Sequence, residues 1–535
     1  MARENARAGP IQYDRRPMNA PELRAERDSL PRSERGVRGA RHSAPLLEDA
    51  LLAFGAAAFL YLVSFRRGTF IYLFHKATTG VWVDEGARVA GGETMYRDFS
   101  DVVGPGIVYL NAGLIRLFGP RLDVLAWAGI AMGVAVALLL HALAARVAGG
   151  RARLLAPVLF VVLVYAPGRD FAGSEWPALG LILLGLLPFM GRPTSLARAC
   201  VAGLAMGLAS LFQLEMGVGA ILGVAAHLVR EERGRGQHTL VFGLASLGPP
   251  ALVMAAFALV AGPHTVLSSW LVTPWRHRLA ELRLDVGQAW GIRLAAWAVL
   301  VLGGAAAAIA TLRPGRPPAE AGRRLVARAG LGVLIAPAAT HVDAYTLAIQ
   351  STVLLVCLSD ALARLGRPRP TAGWVARGAA AAVLAVGLAH GAVGRVVLRQ
   401  LVQVQVRQRF RAGAAWIAAP ARDLEWIEAN TAPGDPVLVF PAGGMFCFLT
   451  GTRNATSYPA MVEGRFSVED QRRALAEIER SRPAIGVWLG AERFPVGPGV
   501  PALDTLYEGI LRSYEPEQAL ANGTLLLRRR PGAGP

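Results

Sequence analysis

From Val124 to Val147 the chain reads VLAWAGIAMGVAVALLLHALAARV, interrupted only by His141 and Arg146. About twenty apolar residues in helical conformation cross the hydrocarbon core of a bilayer, so this run alone removes most soluble folds from consideration. Comparable windows lie near Leu46–Phe65, Leu154–Pro167, Trp176–Met190, Leu196–Phe212, Met216–Val229, Leu240–Ala261, Ile292–Leu312, Ala329–Thr340, Ala344–Ala363 and Val375–Leu398. They predict a polytopic α-helical membrane protein of about eleven spans. Leu196–Val229 taken as one helix would run about 50 Å against a core of about 30 Å, so the chain is expected to break at Glu215.

Arginine placement fixes the expected orientation, because basic residues accumulate in cytoplasmic loops. With the N-terminus inside, Arg32, Arg35, Arg38 and Arg41 precede the first span. Inner loops then hold Arg146, Arg151 and Arg153; Arg192 and Arg198; Arg230, Arg233 and Arg235; Arg313, Arg316, Arg323, Arg324 and Arg328; and Arg364, Arg367, Arg369 and Arg377. The opposite face collects a different set: Asp84, Glu85, Asp98 and Asp101; Arg169, Asp170 and Glu175; Glu215; His264, Arg276, His277, Arg278 and Asp285; His341 and Asp343. Every outer loop therefore offers an ionisable group. The net charge of +18 does not signal nucleic acid, since Lys76 is the only lysine and the arginines follow membrane topology. The three cysteines, Cys200, Cys357 and Cys447, form no disulfide framework, and no paired metal-ligand motif is present.

Two polar regions flank the spans. Residues 1–43 are rich in Arg and Pro and read as a disordered cytoplasmic tail; 44–400 form the membrane domain, with its first outer loop at 66–120; 401–535 read as an extracytoplasmic α/β domain. In that last region ARDLEWIEAN and SVEDQRRALAEIERSR have helical spacing, the second behind a serine cap, whereas PVLVF and AIGVWLG read as buried strands. No cleavable signal is expected, because a long polar stretch precedes the first apolar run.

The segments DEGARVAGGETMYRDF and GPGIVYLNAGLIRLFG, followed far downstream by FCFLTGTRNATSYPAMV and SRPAIGVWL, resemble a bacterial family of integral-membrane glycosyltransferases of the GT-C superfamily, related to protein O-mannosyltransferases and aminoarabinose transferases. The resemblance is strongest over Trp82–Gly119 and continues in order over Phe440–Leu489. It implies transfer of a sugar from a polyprenyl phosphate to an acceptor hydroxyl, with inversion, on the extracytoplasmic side of a bacterial inner membrane. It also implies that Asp84 is the catalytic acidic residue of the first outer loop and that Asp170 is a second acidic residue. Many relatives have a Pro-Pro step where this chain has Gly104 and Pro105, and the acceptor does not carry over.

The residues themselves allow the same chemistry. A phosphate leaving group needs little protonation, so one base and a cationic clamp replace the acid–base pair of a glycosidase; no cofactor is expected, and the need for a divalent cation is left open by the sequence. Asp84, with Glu85 beside it, would serve as base; Arg88, Arg97, Arg169, Arg276, Arg278 and His341, with Glu215 at the hairpin tip, would bind substrate. Other assignments compete with each of these. Asp84 and Glu85 would equally suit the N-terminus of a helix beginning at Gly86; Arg97 and Asp98 would form an ordinary ion pair; Trp275–Arg278 would anchor at the interface. Gly104, Pro105 and Gly106 break the chain before an amphipathic helix expected to lie along the membrane surface. A transporter or lipid flippase is the rival class, with charges buried mid-membrane, and an envelope-assembly scaffold a third. If the glycosyltransferase reading holds, Asp84, Asp170, Glu215 and His341 border one cavity, roofed by the tail through Phe446–Tyr458.

Overall fold

The structure, a computed structural model, describes residues 47–60, 78–99, 104–148, 150–165, 173–190, 194–231, 236–272, 291–312, 320–338, 344–365, 422–441, 443–461, 467–489, 503–520 and 523–532. Two compact units are Met1–Phe54 and Gly55–Pro535. Of the first, residues 47–54 are described and helical. The second carries the helical bundle and the C-terminal sheet.

The bundle begins with α1 (Thr78–Ala90) and α2 (Pro105–Phe118). Pro105 occupies the first turn of α2, where a missing N–H costs nothing, and Gly119 ends the helix at φ 87°. Next come α3 (Leu122–Val147), α4 (Glu175–Leu186), α5 (Leu196–Phe212), α6 (Leu214–Glu231) and α7 (Gly236–Ala261). The set closes with α8 (Gly291–Thr311), α9 (Ala321–Ala338), α10 (Ala344–Gln350) and α11 (Leu354–Leu365). Helices Leu122–Val147, Gly236–Ala261 and Leu347–Arg364 are long and apolar enough to cross a membrane, and several shorter apolar helices accompany them. The expected span at Val375–Leu398 lies outside the described residues. The break expected at Glu215 falls at Gln213, the residue between α5 and α6, which places Glu215 in the first turn of α6.

One expectation is corrected. The span placed at 329–340 is helix from Ala321, so Arg323, Arg324 and Arg328 belong to α9 rather than to a loop. They are held by carboxylates. Arg324 donates to both oxygens of Glu231 at 2.8 and 2.6 Å, and Arg328 adds a third bond at 3.0 Å. Arg323 and Arg364 both approach Asp360, at 3.4 and 3.0 Å. These pairs lock α6, α9 and α11 together. An arginine run with carboxylate partners on neighbouring helices extends toward the N-terminus a helix that hydropathy alone begins too late.

The C-terminal part folds as α12 (Arg422–Asn430), β1 (Pro436–Phe440), α13 (Gly444–Thr450), β2 (Arg453–Asn454), α14 (Val468–Ser481), β3 (Ile485–Trp488), α15 (Asp504–Ser513), β4 (Tyr514–Ala519) and β5 (Leu525–Arg529). The five strands lie in the order β2-β1-β3-β5-β4. The strand β1 runs parallel to β2 and β3, while β5 pairs antiparallel with β3 and β4. Ser467 and Asp470 cap α14 reciprocally, as the sequence suggests. All four elements read in the tail sequence are present.

Candidate functional site

The helix α1 begins at Thr78, so Asp84 and Glu85 sit in its interior and the capping explanation for the acidic pair is excluded. The carboxylates face packed protein: Asp84 is 4 % exposed and Glu85 fully buried. Two side chains of α2 hold α1. The amide of Asn111 on α2 donates to the carbonyl of Trp82 at 3.3 Å, and Arg116, also on α2, donates to the carbonyls of Val89 and Ala90 at 2.9 and 3.3 Å. Arg116 thereby satisfies the open carbonyls at the α1 C-terminus and complements its dipole.

The tail covers the acidic pair. A Cβ built on Gly444 would stand 2.5 Å from the carbonyl oxygen of Gly80 and 2.8 Å from the Cβ of Asp84, a separation only glycine permits. The helix α13 is buried from Gly444 through Leu449 and lies against α1. Its thiol at Cys447 is pushed up by burial and further by the field of Asp84. The residues in closest contact, Gly444 and Met445, immediately precede the segment Phe446–Tyr458 expected as the roof.

Arg88, one turn beyond Asp84, is built into a cradle by the loop that follows. Its Nε donates to Glu93 at 2.7 Å, its Nη2 reaches the carbonyl of Asp98 at 3.4 Å, and its guanidinium carbon stands 4.5 Å over the Phe99 ring. That loop is tight. Tyr96 adopts φ 69°, and its ring meets Phe257 of α7 edge-on at 5.1 Å. A bulky side chain in this region costs about 1–3 kcal/mol, here offset by a ring buried to 4 % exposure. Arg97 and Asp98 form the ion pair expected of them, with bonds of 3.0 and 2.7 Å, and Asp98 also accepts from the Thr94 amide. Hydrogen bonds from Arg97 and Thr94 hold the Asp98 carboxyl below its usual range. Arg97 therefore serves the loop.

The electrostatic result is an unusual acid. Burial pushes the Asp84 carboxyl up to about 7; Arg88 opposes that rise and Glu93 adds to it. Its Oδ2 is buried without a hydrogen-bond partner, and so is Nη1 of Arg88. A buried carboxylate oxygen and a buried guanidinium nitrogen, one helical turn apart and both open, suit a ligand that brings a hydroxyl and an anion.

Gly104 brings α2 against the end of α5: a Cβ there would collide with the carbonyl oxygen of Leu211. This seats the acidic loop beside the α5–α6 junction, where Gln213 donates to Glu175 at 3.4 Å and Glu215 opens α6. Asp170, Arg169, Arg276, Arg278 and His341 lie outside the described residues. No group of three or more metal-ligating side chains occurs among the described residues. Sequence reasoning missed Glu93, Arg116, Gly80, Gly444 and Cys447. The signal for α13 was legible, because GMFCFLT is apolar on every side within a polar tail and must be covered on both faces.

No family profile and no curated protein matches the sequence. Solved structures do. ArnT from Cupriavidus metallidurans bound to undecaprenyl phosphate superposes with TM-score 0.59 at 13 % identity, covering 91 % of this chain and 98 % of that one. The same protein in its apo state gives 0.58 at 12 % identity, covering 92 % and 99 %. The Archaeoglobus fulgidus oligosaccharyltransferase in complex with zinc and sulfate gives 0.49 at 14 % identity, covering 89 % and 73 %. The chain shares the fold of ArnT over nearly its whole length, and three of its described helices are long and apolar enough to cross a membrane.

Proposed function

We propose that the protein is an inverting glycosyltransferase that moves a sugar from a polyprenyl phosphate to an acceptor hydroxyl, on the extracytoplasmic face of a bacterial inner membrane. The observation that carries this reading is the buried Asp84 carboxyl, with a pKa raised to about 7 beside the unfilled Nη1 of Arg88. A general base works best when its pKa lies near the working pH, and a cation held in a dry site stabilises a leaving phosphate far more than one in water. The ArnT fold supports it, and the ArnT of that fold was captured with undecaprenyl phosphate.

In this reaction the ionised Asp84 takes the proton of the acceptor hydroxyl as its oxygen bonds to the anomeric carbon. The bond from that carbon to the phosphate oxygen breaks, its electron pair remains on the polyprenyl phosphate, and configuration inverts. Arg88 balances the charge that grows on the phosphate. Glu93 and Phe99 position Arg88, and Glu85, fully buried next to Asp84 in the sequence, is assigned to the same acidic pair. Asp170 is assigned as the second acid, with Arg169, Arg276, Arg278 and His341 as further phosphate ligands, on their place in outer loops. Glu215 is assigned to the substrate side of the α5–α6 junction.

The test is mass spectrometry of envelope glycans from cells carrying the wild-type gene, no gene, or Asp84→Asn, alongside membrane abundance of the protein. Loss of one sugar in the last two strains, with Asp84→Asn protein at normal abundance, is expected. Unchanged glycans in the deletion strain would overturn the reading.

A further inference from the structure

A base that is 4 % exposed does not meet a substrate in the state described. What stands over it is α13, and the seam between α13 and α1 has a particular construction. A glycine on each side permits the close approach: a Cβ on Gly80 would lie 3.0 Å from the Cβ of Met445, and one on Gly444 would press on the Gly80 carbonyl and the Asp84 Cβ. The helix is short, flanked by Gly443 and Gly451, and Gly451 adopts φ 73°, a left-handed conformation that glycine enters and leaves freely. Apart from the Cys447 thiol and the Thr450 hydroxyl, which bonds within the tail, α13 is apolar, and the Asp84 Oδ2 remains buried without a hydrogen-bond partner. A permanent wall over a carboxylate would be expected to supply a donor to it.

We propose that α13 is a gate: the tail moves off α1 to admit the acceptor hydroxyl to Asp84 and closes again to exclude water during transfer. The inference rests on the glycosyltransferase reading above. The acceptor is the substrate concerned, because α13 belongs to the mixed-sheet part of the chain with its exposed polar strand β4, whereas a lipid-linked donor arrives through the bilayer. Closure has a physical reason: with water excluded, Arg88 acts on the phosphate at full strength and hydrolysis of the donor is suppressed.

The gate is tested by locking it. Gly80→Cys with Met445→Cys, in a Cys447→Ala background so that no neighbouring thiol competes, places two sulfurs where a shift of a few tenths of an ångström reaches disulfide geometry, Cβ–Cβ about 3.5–4.5 Å. Two readouts are taken on the oxidised and the reduced protein: transfer in membranes containing their own polyprenyl-phosphate sugar pool, and the thermal shift produced by added undecaprenyl phosphate. Oxidation is expected to lower transfer by at least about tenfold, with recovery in dithiothreitol, while the undecaprenyl phosphate shift persists. A locked protein that transfers at the reduced protein's rate overturns the gate. Absence of any undecaprenyl phosphate shift in the reduced protein instead counts against the donor assignment, so the two failures are distinct. As a second variant, Met445→Ala loosens the seam and is expected to raise transfer at pH 6 relative to pH 8 as water reaches Asp84. An unchanged profile in that variant also overturns the gate.

Discussion

Replacing Asp84 by Asn should make the protein more stable at neutral and alkaline pH while abolishing transfer. The carboxyl is raised from 3.8 to about 7, chiefly by burial. Between those values the folded state binds a proton that the unfolded state has lost, so stability falls as pH rises through the interval and levels off above about 7. At about 1.4 kcal/mol per pH unit the full interval amounts to about 4 kcal/mol, an upper value, of which roughly 3 kcal/mol accrues between pH 5 and 8. Asparagine keeps the shape and never ionises, so its stability relative to wild type should climb by that amount from pH 5 to pH 8. An unpaired amide donor under α13 costs about 1–3 kcal/mol, but this offset is the same at every pH. With an unfolding entropy of about 2 cal/mol/K per residue, the difference between the two melting temperatures should grow by roughly 3 °C over that range. The assay is a pair of thermal melts in detergent at pH 5, 6, 7 and 8. A difference that stays flat with pH would mean that Asp84 titrates as an ordinary exposed carboxyl, and the argument from burial would fail.

Three further outcomes follow from the same geometry. Glu93→Gln removes a charge that raises Asp84 and frees the Nε of Arg88, so the pH at which the Asp84-dependent stability difference levels off should move toward acid; movement toward alkali would contradict the assignment. Gly104→Ala drives a methyl into the Leu211 carbonyl and should destabilise by about 1–3 kcal/mol, seen as lower membrane abundance and a lower melting temperature. Glu231→Gln removes the carboxylate that Arg324 and Arg328 share, both close to nine-tenths buried, and should cost about 3–5 kcal/mol in thermal stability; a near-neutral effect would show that those bonds do not hold α6 to α9.

Helix identities in the bundle were legible because apolar runs of span length admit few other conformations in a membrane protein. Helix ends were less so. The start of α9 at Ala321 depends on Glu231 and Asp360, which reach Arg324 and Arg323 from other helices, and such long-range pairing has no local signature. In the tail, PVLVF and AIGVWLG announced β1 and β3, but β4 reads YEPEQA, with one buried residue and a proline. It is a strand because β5 offers it an edge. At the site, the sequence singled out Asp84 and the ion pair of Arg97 with Asp98. It could not show that a glycine far downstream lies on the Asp84 helix, since Gly80 and Gly444 meet only through the tertiary fold. The sequence set Arg97 apart as the partner of Asp98, and packing adds what it could not show, that Arg88 is cradled over Phe99 with a nitrogen to spare.

The account stands most directly on whether Asp84 removes the acceptor proton. Purified protein in undecaprenyl-phosphate-containing proteoliposomes, supplied with the lipid-linked sugar pool and envelope acceptors of its own cells, should transfer sugar at a rate that rises as pH increases through about 7. Asp84→Asn should give no transfer at any pH while still showing a thermal shift with undecaprenyl phosphate. Transfer by Asp84→Asn at a rate comparable to wild type would contradict the assignment of Asp84 as the base.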